Sequence, residues 1–255
     1  MGLPEVVTRE EWLRAREELL AKEKAATRAR DELNAERRRL PMVAVDKDYL
    51  FVGPDGKAGL ADLFEGRDQL VVHHFMFQPE WEAGCRSCSA FLDQIGNLAH
   101  LRARGTAFAA VSRAPYTKIL PFKARMGWSV PWYSSYESDF NQDFHVTLAP
   151  SAGPVVHSYR TAREHAEHGD PALLTTEGPF DLPGVSCFLR DDGGRIFHTY
   201  SAFARGLDGL GSTTSLLDLT ALGRQEEWEE PKGRASALGA PAGSVKVRYH
   251  DEYVD

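Results

Sequence analysis

Val71-Val72-His73-His74-Phe75-Met76-Phe77 runs into Gln78-Pro79-Glu80-Trp81-Glu82-Ala83-Gly84 and then into Cys85-Arg86-Ser87-Cys88-Ser89-Ala90-Phe91-Leu92. An apolar strand-like stretch feeds a loop, and the loop ends in a C-x-x-C that opens a helix-like stretch. Two cysteines three positions apart at the start of a helix can reach each other. The helix N-terminus carries unpaired N–H groups and a partial positive charge, both of which favour a thiolate on the first cysteine. The thiolate is the nucleophile of disulfide exchange, so Cys85 is the expected attacker and Cys88 the expected resolver.

The chain has 255 residues, 42% of them hydrophobic, and a formal charge of −7. That length suits one large domain with appendages. The acidity excludes non-specific nucleic-acid binding, and no apolar run reaches the roughly 18 residues of a membrane span. Residues 1–14 are polar and lack the apolar core of a secretory signal. Three cysteines are too few for a disulfide scaffold. A single C-x-x-C beside a strand–helix pattern then reads as a redox motif in a reducing compartment, and a cytoplasmic location is expected.

Outward from the motif, the spacing predicts a helix over Ser89–Arg104 with Phe91, Leu92, Ile95, Leu98 and Leu101 on one face. Strands are expected at Thr106–Ser112 and Pro131–Ser135, with a partly helical stretch at Tyr116–Met126 between them. Upstream, Gln69–Phe77 reads as a buried strand, Leu60–Phe64 as a helical turn, and 42–53 as a strand pair turning at Gly53-Pro54-Asp55-Gly56. Residues 9–39 alternate Glu with Lys and Arg at helical spacing. Thr8 followed by Glu11 makes a capping box, and Pro41 ends the helix. Its thin apolar stripe suits packing on the domain or a homodimer contact.

Downstream, 149–180 reads as a polar insertion. Val185–Arg190 and Ile196–Phe203 form a hairpin about Asp191-Asp192-Gly193-Gly194, followed by a helix at Leu210–Leu222. Residues 225–255 are a Gly-, Pro- and charge-rich tail. The organisation is an N-terminal helical extension (1–41), a core domain (42–224) and a C-terminal tail (225–255). The fold class is α/β: a mixed sheet flanked by helices.

This order, with a C-x-x-C between the first core strand and its helix, resembles the thioredoxin fold. The lead-in through Phe51, Gly56, Leu60 and Phe64 resembles its AhpC/TSA, peroxiredoxin-like branch. Sharper strings are GLPEVVTREEW from Gly2, DELNAERRRLP from Asp31, HHFMF from His73 with CRSCS from Cys85, SSYESDFN from Ser134, FHTYS from Phe197 and YHDEY from Tyr249. Together they resemble the DUF899 family of thioredoxin-like, predicted dithiol-disulfide oxidoreductases. The resemblance implies exchange of a Cys85–Cys88 dithiol with a thiol or disulfide substrate, with no cofactor.

It also implies a cis-proline opposite the dithiol, for which Pro183 is the candidate, and an aromatic wall to which Trp81 contributes. Where thioredoxins carry Gly-Pro between the cysteines, Arg86-Ser87 stands here; a cation beside the thiolate makes the pair more oxidising. Where peroxiredoxins carry threonine three residues before their cysteine, Glu82 stands here, and a carboxylate cannot donate the hydrogen bond that positions a peroxide.

Two other readings stay open. The pair could bind copper or zinc with His73 or His74 as nitrogen ligands, or the chain could be a non-enzymatic thioredoxin-like module. Strand alternation sends His73 and His74 to opposite faces, where a hydrogen-bonded core histidine is the plain alternative. Cys187 is expected to pack as a small hydrophobe. His157, His165 and His168 are expected at the surface, and Glu80 or Glu82 is the expected proton acceptor for Cys88.

Overall fold

The computed structural model describes residues 2–149, 156–169, 171, 178–233, 241–244 and 246–253. The backbone groups into two units, one of Met1–Pro41 with Thr214–Lys246, the other of Met42–Thr213 with Val247–Asp255. The first unit holds helix α1, Arg9–Arg37, whose Thr8–Glu11 capping box is formed as the sequence predicts. No residue of α1 is buried, as its charge-dense composition dictates.

The second unit is built on an eight-stranded mixed sheet. Its strands are β1 (Val43–Ala44), β2 (Phe51–Gly53), β3 (Gly56–Ala58), β4 (Gln69–His74), β5 (Thr106–Ser112), β6 (Trp132–Ser134), β11 (Gly184–Arg190) and β12 (Ile196–Phe203). Short pairs β7 (Thr147–Leu148) with β10 (Phe180–Asp181), and β8 (Val156–His157) with β9 (Arg160–Thr161), lie outside it. The sheet order is β1-β12-β11-β4-β5-β6-β2-β3. Strands β4, β5 and β6 are parallel, and β11 runs antiparallel to β4 and β12 to β11. Two parallel strands joined through a helix, then an antiparallel hairpin added beside the first, are the thioredoxin-like arrangement.

Period-two alternation splits the core into two layers. Leu70, Val72, Ala107, Ala109, Val111 and Phe188 face one side, where the 3-10 turn Leu60–Phe64 and helix α5 (Phe140–Asp143) cover them. Phe75, Phe77, Phe108, Ala110 and Trp132 face the other, beneath α2 (Arg86–Asp93) and α4 (Tyr116–Arg125). On the first side a polar chain crosses three strands. His74 Nε2 bonds Ser186 Oγ at 2.8 Å, Ser186 Oγ bonds Ser201 Oγ at 2.7 Å, and Ser201 Oγ bonds His198 Nε2 at 2.8 Å.

Several boundaries differ from the sequence reading. The helix expected over Ser89–Arg104 is two pieces, α2 and α3 (Ala99–Arg102). Gly96 and Asn97 break it, the Asn97 side chain accepting the Ala99 N–H at 2.9 Å in place of a helical carbonyl. Ile95 and Leu98 still pack on the α2 core, which is why the apolar periodicity ran through the break. The Gly53–Gly56 turn joins β2 to β3, while residues 43–44 pair with β12 instead. The helix expected at Leu210–Leu222 shrinks to Ser212–Leu217, preceded by a 3-10 stretch at Ala204–Leu210 that includes Gly206 and Gly209. Parts of the insertion and tail (150–155, 170, 172–177, 234–240, 245, 254–255) lie outside the described residues.

Candidate active site

Cys85 is the N-cap of α2. Its N–H donates to the Met76 carbonyl at 2.9 Å, and its own carbonyl receives the Ser89 N–H at 2.9 Å and the Ser89 hydroxyl at 2.8 Å. The backbone of Cys85 is thus fully tied, and its Sγ sits at the open helix end. There the Cys88 thiol donates to it, joined by the backbone N–H groups of Cys88 and Ser87 and the Ser87 hydroxyl. These bonds outweigh burial and bring the Cys85 thiol down to about 6. Both cysteines are free thiols.

Cys88 is 2% exposed, and its sulfur accepts the Met76 N–H at 3.5 Å. Its thiol is pushed well above the ordinary value, first because it donates to Cys85 and then because of burial. The two thiols at this one site are shifted in opposite directions, the outer sulfur toward the thiolate and the inner one toward the thiol.

The loop before the pair is pinned from two sides. Lys118 Nζ donates to the carbonyls of Pro79 at 2.9 Å and Trp81 at 3.1 Å, and pairs with Glu82 at 3.4 Å. Gly84 has no room for a side chain: a Cβ there would stand 2.5 Å from the Phe75 ring and 2.9 Å from Phe122. Gly84→Ala is therefore expected to lower stability by about 1–3 kcal/mol and to loosen the cysteine loop, read by denaturant unfolding; an unchanged midpoint would refute the close approach.

A buried polar group that sequence reading missed stands nearby. Asp181, at the end of β10, accepts from Arg113 Nε at 2.7 Å and from the Thr147 hydroxyl at 2.6 Å, both on Oδ1. Its Oδ2 is buried without a hydrogen-bond partner among the described residues. Burial raises the carboxyl above its usual range despite Arg113, and its charge is felt at Cys88. Glu82, an acceptor expected from sequence, is instead 94% exposed at its side chain.

The other expected residues fall as follows. Trp81 is half-buried against the α2 core. Gly184 pairs with His74, so Pro183 sits at the sheet end where β4 delivers the cysteine loop. Its peptide bond is trans, since the cis bond among the described residues is Glu230–Pro231; the expected cis-proline is corrected. Sequence carries no signal for the isomer, and trans is the ordinary state of X-Pro. The Arg86 guanidinium is engaged by residues from the far end of the chain. It lies 4.8 Å over the Tyr249 ring and pairs with Glu252 at 3.4 Å.

His73 and His74 do take opposite faces. His73 lies 4.4 Å from the Phe91 ring of α2, with neither ring nitrogen bonded among the described residues; burial brings it down to about 3 and keeps it neutral. His74 belongs to the serine chain on the far face. The four candidate ligands Cys85, Cys88, His73 and His74 are therefore not brought together, and the described residues hold no group of three or more His, Cys, Asp or Glu suited to a metal. His157, expected at the surface, is 8% exposed beneath Phe203. Cys187 is half-buried on β11. No helix among the described residues is long and apolar enough to cross a membrane.

A thioredoxin-like sheet with a helix-capping C-x-x-C defines the class. The chain belongs to DUF899, described as a bacterial protein of unknown function, which it matches over residues 1–253. No curated protein matches the sequence. Among solved structures it is similar to peroxidoxin BcpB from Mycobacterium tuberculosis (12% identity, TM-score 0.41, covering 67% of this chain and 91% of that one). It is also similar to a PrxQ mutant from Xylella fastidiosa (12%, 0.40, 67% and 91%) and a putative thioredoxin reductase from Burkholderia cenocepacia (15%, 0.37, 64% and 89%).

Proposed function

We propose that the protein is a thiol-disulfide oxidoreductase working through Cys85 and Cys88. The observation that carries this reading is the opposite tuning of the two thiols at one helix end, Cys85 down to about 6 and Cys88 well up. In the reducing direction the Cys85 thiolate attacks one sulfur of a substrate disulfide. A mixed disulfide forms and the first substrate thiolate leaves. Cys88 then gives up its proton and attacks Cys85 Sγ. The Cys85–Cys88 bond forms, and the second substrate thiolate leaves. The substrate gains two electrons and the dithiol loses two. Asp181, buried and with one oxygen free of hydrogen bonds among the described residues, is the proton acceptor for Cys88 in this scheme.

Two linked measurements test it. Titration against glutathione, read by alkylation and intact mass, is expected to show a reversible two-electron transition confined to Cys85 and Cys88. Alkylation of Cys85 should follow a midpoint near 6, with Cys88 unreactive. Because the folded value lies below the thiol's 9.0, this ionisation adds stability that is complete above pH 9 and drains away as pH falls to about 6. No transition, or one that appears only after a chelator, would replace the exchange reading with a metal-thiolate one.

A further inference from the structure

The cysteine loop is also held by a part of the chain that disulfide exchange does not require. Residues 247–253, with a 3-10 turn at His250–Glu252, return to the sheet end that carries the dithiol. Tyr249 is 5% exposed there, and its hydroxyl donates to the Gly84 carbonyl, one residue before Cys85. Its ring meets Phe122 edge-on at 5.6 Å and carries two guanidinium groups over it, Arg86 at 4.8 Å and Arg125 at 4.9 Å. Glu252 pairs with Arg86 at 3.4 Å and Arg125 at 3.7 Å, while Asp251 takes two bonds from Arg125 at 2.8 and 2.9 Å. His250 is tied to Asp93 of α2 at 2.8 Å.

We propose that Tyr249 and Glu252 are positioning residues that hold the Arg86 guanidinium away from the Cys85 sulfur and thereby set how oxidising the dithiol is. Two independent facts meet here. The groups that do most to stabilise the Cys85 thiolate are the Cys88 thiol, two backbone N–H groups and the Ser87 hydroxyl. The one cation next in sequence to Cys85 is engaged by a ring and a carboxylate. A cation released onto the thiolate would stabilise the dithiol form and make the disulfide a stronger oxidant. The clamp keeps that cation engaged, so the pair is held at the more reducing end of its range.

The inference rests on the exchange reading but is tested separately from it. Glu252→Gln keeps the shape and a hydrogen-bond acceptor while removing the charge that holds Arg86. The Cys85 midpoint, followed by thiolate absorbance, is expected to fall, and the equilibrium with glutathione to move about threefold toward the dithiol, in keeping with a half-exposed ion pair. In an Arg86→Ala background the same substitution is expected to change neither. Equal shifts in both backgrounds, or no shift in the first, would overturn the clamp. Should the Glu252 variant not fold, Arg86→Ala alone decides: an unchanged Cys85 midpoint supports a cation already turned away, and a rise of tenfold in proton affinity overturns it. Loss of the two-electron transition in the native protein would instead overturn the exchange reading and leave the absorbance titration standing.

Discussion

Cys88→Ser is expected to convert a transient adduct into an accumulating one. Cys85 keeps its helix-cap position and its backbone donors, so it still attacks. With no second thiol to displace the substrate, the mixed disulfide persists and is visible by mass on non-reducing separation. Some nucleophilicity changes as well, because the Cys88 thiol is the largest contributor to the low Cys85 value; a serine hydroxyl replaces that donor in part. Cys85→Ser should trap nothing and lower exchange on the order of a thousandfold or more, since an alcohol is not ionised near neutral pH. Equal trapping by both variants would sink the assignment of attacker and resolver.

Asp181→Asn carries the second large effect, and it has two separable parts. Arg113, whose side chain is 14% exposed, loses its counter-charge, and breaking a buried pair on one side costs about 3 kcal/mol. The Cys88 proton also loses its acceptor, which should slow the resolving step by about a hundredfold or more. The double variant Asp181→Leu with Arg113→Met separates the two. It removes both charges, so much of the stability should return while resolution stays slow. The readouts are denaturant unfolding and decay of the mixed disulfide after rapid mixing. Fast resolution in the double variant would remove Asp181 from the mechanism.

The dithiol was legible because everything that defines it is local. Four residues fix the spacing, and the run Val71–Phe77 announces the strand that delivers them. The opposite faces of His73 and His74 followed from strand alternation alone. What stayed hidden involves long-range partners. Asp181 meets Arg113 across 68 positions, Tyr249 meets Gly84 across 165, and Glu252 meets Arg86 across 166. No periodicity reports such pairs. Arg86 is the instructive case: its charge was read correctly, but its rotamer is chosen by a ring and a carboxylate from the far end of the chain. Asp181 gave one usable hint, an acid two residues before Pro183 and the return strand. The break at Gly96–Asn97 was also readable from turn chemistry, had the apolar face of Ile95 and Leu98 not masked it.

The chain His74–Ser186–Ser201–His198 lies on the face away from the cysteines, yet it governs them through geometry. A slip of β11 by one residue would turn Ser186 toward α2 and leave the His74 imidazole without its partner in an apolar layer. Misregistered pairings of the return hairpin are thereby penalised in a way that an all-aliphatic face would not achieve. β11 begins at Gly184, directly after Asp181 and Pro183. The four-residue chain therefore acts as an alignment key: it fixes, from behind the sheet, which residues arrive beside the dithiol in front of it.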